Sequence, residues 1–84
     1  MTNINNLKKS IIYRSWHRGT KEMDLLLGKF VKKYINTFNE TQLDYLAELL
    51  NIDDEIIYKW YLNKNLDSTI QTNSVTKKFK NFKV

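Results

Sequence analysis
The sequence predicts an all-α fold, a compact bundle of four to five short helices, and three observations carry that prediction. The 84 residues contain no proline and only two glycines, so helix breakers are scarce. Apolar residues recur at steps of three and four, the spacing that puts them on one helix face. No segment alternates apolar and polar residues long enough to make a half-buried strand.

Each element follows from that spacing. Ile4, Leu7, Ile11 and Ser15 lie on one stripe, with Ile12 and Trp16 one position round, predicting a first helix from about Asn5 to His17. Met23, Leu26, Leu27, Phe30, Val31, Tyr34 and Phe38 form the strongest stripe, predicting a second helix from about Thr20 to Asn36. Asn39 followed by Gln42 resembles a capping box and opens a third helix carrying Leu43, Leu46, Ala47 and Leu50. Asp53 or Asp54 caps a short fourth helix with Ile56, Ile57, Trp60 and Tyr61. Beyond Asn63-Lys64-Asn65 the pattern weakens. Ser68 is the expected cap of a fifth helix holding Ile70 and Val75, and residues 77–84 are expected to fray as a basic tail. No repeat or linker divides the chain, so residues 1–84 read as a single helical domain.

Composition narrows the function. A chain this short buries only about 60–65% of its unfolded surface, which disfavours a deep catalytic pocket. It has no cysteine, hence no disulfide, thiolate metal site or thiol nucleophile. His17 is the only histidine; without clustered ligands it reads as a structural or rim residue, and no metal is expected. No nucleophile–base pair or phosphate loop supports a hydrolase, so no catalytic residue is assigned. Apolar runs are far too short to cross a bilayer, and the first six residues lack the basic and apolar regions of a secretory signal. The informative motif starts by Arg14, so a presequence within this sequence is not expected.

The net charge of +5 attracts nucleic acid, anionic lipid or an acidic protein face. Lys8, Lys9, Arg14, Arg18 and Lys21 form one basic cluster, and Lys77, Lys78, Lys80 and Lys83 another. Solvated charged faces account for both equally well.

The junction between the first two helices holds the densest chemistry. Gly19 there reads as a helix-end residue, since glycine adopts the left-handed conformation at no steric cost. With Gly19 or Thr20 as cap, Glu22 and Asp24 fall in the first turn of the second helix and favour its positive end. Glu22 is then placed to reach back to the cap N–H. Capping leaves Arg14 and Arg18 unexplained, and planar bidentate donors at that spot point to recognition.

The run Tyr13-Arg14-Ser15 through Arg18-Gly19-x-x-Glu22-x-Asp24-x-x-Leu27-x-x-Phe30, with Leu49-Leu50, Asp53-Asp54 and Trp60 downstream, resembles the succinate dehydrogenase flavinylation factor family (SdhE in bacteria). The similarity covers roughly residues 10–62. The chain departs from the family where Tyr61-Leu62-Asn63 replaces a common glycine and Ala47 a common glutamate. The resemblance implies an assembly chaperone, not an enzyme. Such a factor binds the flavoprotein subunit of succinate dehydrogenase or fumarate reductase and promotes covalent attachment of FAD to a histidine of that subunit. The flavin belongs to the partner, and no stable cofactor of this chain is implied. On this reading Arg18 and Glu22 bond to partner groups, Gly19 permits close approach, Arg14 and Asp24 orient or flank the contact, and Trp16 anchors it. The implied compartment is a bacterial cytoplasm, or the mitochondrial matrix after removal of a presequence. The rival is a small basic helical nucleic-acid-binding module. Its recognition helix would begin Lys21-Glu22-Met23-Asp24 and turn two carboxylates toward phosphates, which argues against it.

Overall fold
Helix formation follows the apolar stripes closely. The computed structural model describes residues 3–62 and 70–83. Its order is α1 (Asn3–Trp16), α2 (Lys21–Tyr34), a 3-10 turn (Ile35–Thr37), α3 (Glu40–Leu50), α4 (Asp54–Tyr61) and α5 (Ser74–Lys80). Among the described residues there is no strand. The predicted all-α bundle is the observed fold.

The second stripe is the backbone of the core. Met23, Leu26, Leu27, Phe30 and Val31 of α2 are buried, joined by Ile35 and Phe38 beyond its end. The α-helix ends at Tyr34 and passes into the 3-10 turn Ile35–Thr37, where Thr37 Oγ1 donates to Tyr34 O (2.7 Å). Leu43, Leu46, Leu49 and Leu50 of α3 and Ile57 of α4 complete the interior. Among the described side chains of α1, Ile11 and Ser15 are buried, and the Ser15 hydroxyl donates to Ile12 O at 2.8 Å. The small Ser15 side chain lets α1 lie close against α2 and α3.

The predicted cap of α3 is present in full. Gln42 N–H donates to Asn39 Oδ1 (2.8 Å) and Asn39 N–H to Gln42 Oε1 (3.0 Å). Asp53 occupies the cap position of α4, but its side chain makes no capping bond.

The fifth helix differs from expectation. Ser68 lies outside the described residues; the cap of α5 is Asn73, whose carboxamide oxygen accepts from Val75 and Thr76 N–H, both at 2.9 Å. Thr76 Oγ1 accepts from Asn73 N–H in return, closing a second capping box. Lys77–Lys80, expected to belong to a fraying tail, are helical because Val75 and Phe79 on the opposite face are fully buried. Phe30 ties this segment to the core, with ring centroids 5.1 Å from Phe79 and 5.5 Å from Phe82. Such aromatic pairs each contribute about 0.5–1.5 kcal/mol beyond area burial.

Tyr61 fastens α4 to the end of the chain, its hydroxyl donating to Phe82 O. Burial, reinforced by the neighbouring Tyr58, pushes its phenol above the ordinary tyrosine range. A raised folded-state pKa means the fold favours the neutral phenol. That contribution is intact below about pH 10 and is lost as pH rises through the folded value. Denaturant midpoints measured against pH should therefore fall above about pH 10, and Tyr61→Phe should flatten that slope while costing about 0.5–1.5 kcal/mol at neutral pH.

Candidate functional site
The junction after α1 is built by helix ends that meet there. Thr20 is the N-cap of α2, extended at φ −133° and ψ 159°, and its Oγ1 accepts from Met23 N–H at 3.2 Å. The four residues following α1 thus form a short loop, His17 to Thr20, against the C-terminus of α3 and the N-terminus of α4.

Arg18 sits at the centre of this contact. Its Nε donates to Asp54 Oδ1 at 2.7 Å, Nη1 to Leu50 O at 2.9 Å and Nη2 to Ile52 O at 3.1 Å. The side chain is only 10% exposed, and that of Asp54 20%. One guanidinium therefore supplies donors to the end of α3, to the α3–α4 turn and to the first residue of α4. Arg14 does related work one turn earlier: its Nη2 donates to Ala47 O (3.2 Å) and to Asn51 Oδ1. These cations answer the carbonyls that a helix C-terminus leaves without intrahelical partners. Three of the five N–H donors of Arg18, expected to reach a partner, are thus engaged within the chain.

Two carboxylates hold the loop backbone. Asp24 Oδ1 accepts from Arg18 N–H at 2.6 Å, and Asp54 Oδ2 accepts from Gly19 N–H at 2.5 Å. Gly19 does not adopt the left-handed conformation expected of it. What its position requires is close approach: a Cβ there would lie 3.2 Å from Asp54 Oδ2. Nor does Glu22 reach back to a cap N–H, because the cap is Thr20 and the position three residues on is Met23. Among the described residues Glu22 makes no hydrogen bond or ion pair, and it is exposed.

Glu22 shares a stripe of α2 with Leu25 and Gly28, spaced three apart. Leu25 is 38% exposed, as is Tyr58 of α4, and the two line an open apolar groove with Glu22, Leu26 and Tyr61. Trp16, 37% exposed, lays its indole directly on Gly28. Tyr13 is the most exposed aromatic on α1 and stacks on His17 at 3.9 Å, while His17 Nδ1–H donates to Tyr13 O at 2.7 Å. His17 is thus engaged in finishing α1. Leu25, Gly28 and Tyr58 were not expected from the sequence to contribute, and Asp54 was expected only as a helix cap and as part of the Asp53-Asp54 pair. For Gly28 there was a signal, since an isolated glycine inside a strong helical stripe marks a close packing contact.

The sequence matches a known group of proteins. A family model described as flavinator of succinate dehydrogenase matches residues 9–83. The chain belongs to that flavinator family. Curated relatives agree: a protein of Scheffersomyces stipitis is 49% identical over 70% of this chain, and one of Debaryomyces hansenii 39% identical over 88%. A protein of Arabidopsis thaliana is 33% identical over 71% of it. All three are named succinate dehydrogenase assembly factor 2, mitochondrial, which runs against a bacterial cytoplasmic setting. The chain spans 39%, 49% and 34% of their respective lengths. No solved structure matches it. Among the described residues no helix of this flavinator-family chain is long and apolar enough to cross a membrane.

Proposed function
We propose that this chain is a mitochondrial assembly factor for succinate dehydrogenase, which docks on the flavoprotein subunit and promotes its covalent flavinylation. Family membership and the naming of the relatives support this reading. The observation that carries it at residue level is a contrast within the motif. Arg18, Gly19 and Asp24 are satisfied inside the chain, whereas Glu22 faces outward beside Leu25, Tyr58 and the groove between α2 and α4.

Such a face suits docking. A carboxylate at the rim of an apolar groove accepts charge-assisted hydrogen bonds, and half-exposed Trp and Tyr side chains provide anchoring area at low entropic cost. Arg14, Arg18 and Asp24 act through rigidity, holding the loop and the first turn of α2 so that Glu22 is presented in one geometry. The chain acts by binding and is not itself the catalyst. By favouring one arrangement of the partner's domains, it raises the fraction in which the flavin methyl group lies against the acceptor histidine. FAD remains the partner's.

Co-expression of the flavoprotein subunit with and without this chain tests the reading through flavin fluorescence of the denatured subunit. Wild type should increase covalent flavin. Glu22→Gln should abolish most of the gain with unchanged thermal stability, because loss of a charge-assisted bond worth about 1.5–3 kcal/mol weakens docking about 10- to 100-fold. Equal flavin with and without the wild-type chain would sink the proposal.

A further inference from the structure
The end of the molecule remote from Glu22 carries a second surface of opposite character. α2 has 14 residues, so about 20 Å separates its two ends. At the far end the half-buried rings of Tyr34 and Phe82 connect through the buried Phe30 and Phe79 to Trp60 and to Tyr61, which also borders the groove beside Glu22, neighbouring centroids lying 5.1 to 6.3 Å apart. Lysines cover the half-buried rings. Lys33 Nζ lies 5.5 Å and Lys78 Nζ 4.8 Å from the Tyr34 centroid, and Lys33 is also 6.0 Å from that of Phe82. Lys80 Nζ is 4.2 Å from the Trp60 ring and Lys83 Nζ 5.8 Å from that of Tyr61. Lys77 joins Lys78 around the depression beside Tyr34 and Phe82. Among the described residues none of these five lysines lies within 4.0 Å of a carboxylate.

Helix-end electrostatics explain only part of this pattern. Cations in the last turns of α2 and α5 offset the helix dipoles. Lys80 Nζ also donates to Trp60 O (2.9 Å) at the end of α4, but helix ends do not require Lys33, Lys78 and Lys83 over aromatic rings without a carboxylate partner. We propose that this patch is a docking surface for an anionic phospholipid membrane, on which the chain rests peripherally. The chemistry of the patch favours that occupant. Both arginines of the chain are consumed at the α3 C-terminus, so every cation here is a lysine, a point charge suited to a diffuse negative field. The rings already have lysines above them and other rings beside them, which leaves no open face for stacking a nucleic-acid base. Ammoniums on flexible stems over half-buried Tyr and Trp instead match the headgroup layer, where charge and amphipathic rings share one depth.

Co-sedimentation of the full chain with vesicles tests this. At about 0.1 M salt it should bind phosphatidylcholine vesicles containing about 30% phosphatidylserine, fail to bind pure phosphatidylcholine, and be released as salt rises. The triple variant Lys33→Gln/Lys78→Gln/Lys83→Gln should lose affinity on the order of 100-fold while melting like wild type, and Glu22→Gln should bind as wild type does. Absence of binding to the anionic vesicles, undiminished binding by the triple variant, or tighter binding to a mixed-sequence RNA per phosphate would each overturn the assignment.

Discussion

Arg18→Ala should unfold this protein more readily than any surface change, lowering stability by about 3–5 kcal/mol. The size follows from what is left behind. Asp54 keeps its charge in a setting where its side chain is only 20% exposed, with the Gly19 N–H as its remaining contact from the loop. Leu50 O and Ile52 O lose the donors that closed the end of α3. For a domain of this length each kcal/mol moves the melting temperature by about 4–8 °C, so a fall well beyond 10 °C is expected by circular dichroism. Asp54→Ala should be comparably costly because it strands the guanidinium. The double variant should cost much less than the sum, since the two changes remove one shared interaction. Arg18→Lys should rescue little, because a single ammonium cannot span three acceptors held 2.7 to 3.1 Å from a planar fork. If Arg18→Ala melts within a degree or two of wild type, the guanidinium is not a structural clamp, and its role belongs to partner contact after all.

This changes how loss of function at the motif is to be read. A flavinylation defect in an Arg18 variant reports on folding of the loop before it reports on docking. A defect in Glu22→Gln with unchanged melting reports on docking alone. The same separation applies to Asp24, whose carboxylate holds Arg18 N–H at 2.6 Å and so fixes the loop that leads into α2.

How far the sequence reveals these features depends on the range of the interactions. The α2 stripe and the Asn39–Gln42 box are local, written in residues three and four apart, and they form as expected. The box that opens α5 is equally local but pairs Asn73 with Thr76, a weaker match to the usual pattern, within a polar run that obscures it. The destinations of Arg14 and Arg18 are of another kind. They bind backbone carbonyls of Ala47, Leu50 and Ile52, more than thirty residues away. Every residue offers a carbonyl, so no side chain at the receiving end marks the contact. The motif was therefore visible, but its division into a structural clamp and one outward carboxylate was not.

Gly28→Val is the substitution that should couple the core to the docking face most directly. A Cβ built on Gly28 would lie 2.6 to 2.7 Å from Cδ2, Cε2 and Cε3 of Trp16, well inside van der Waals contact with the indole. Such distances force one partner to move, and the α2 backbone is held by Leu27 and Phe30, both fully buried. The indole must therefore leave the α1–α2 seam, at an overpacking cost of about 2–3 kcal/mol. Gly28→Ala sets two effects against each other, a helix-propensity gain of about 1 kcal/mol and a smaller overlap. It should still lower stability, with a red shift in tryptophan emission as the ring becomes wetter. Trp16→Ala should relieve the clash, so the Gly28→Ala/Trp16→Ala pair should show a coupling of about 0.5–3 kcal/mol in a double-mutant cycle. A stabilised Gly28→Ala protein with unchanged emission would mean that the indole moves aside freely. Because Trp16 lies on the α2 stripe that continues through Leu25 to Glu22, displacing it should also cut the covalent-flavin gain in co-expression at temperatures where the variant remains folded. A glycine in the middle of the strongest helix, which costs that helix intrinsic stability, is then accounted for by the flat seat it gives the Trp16 indole.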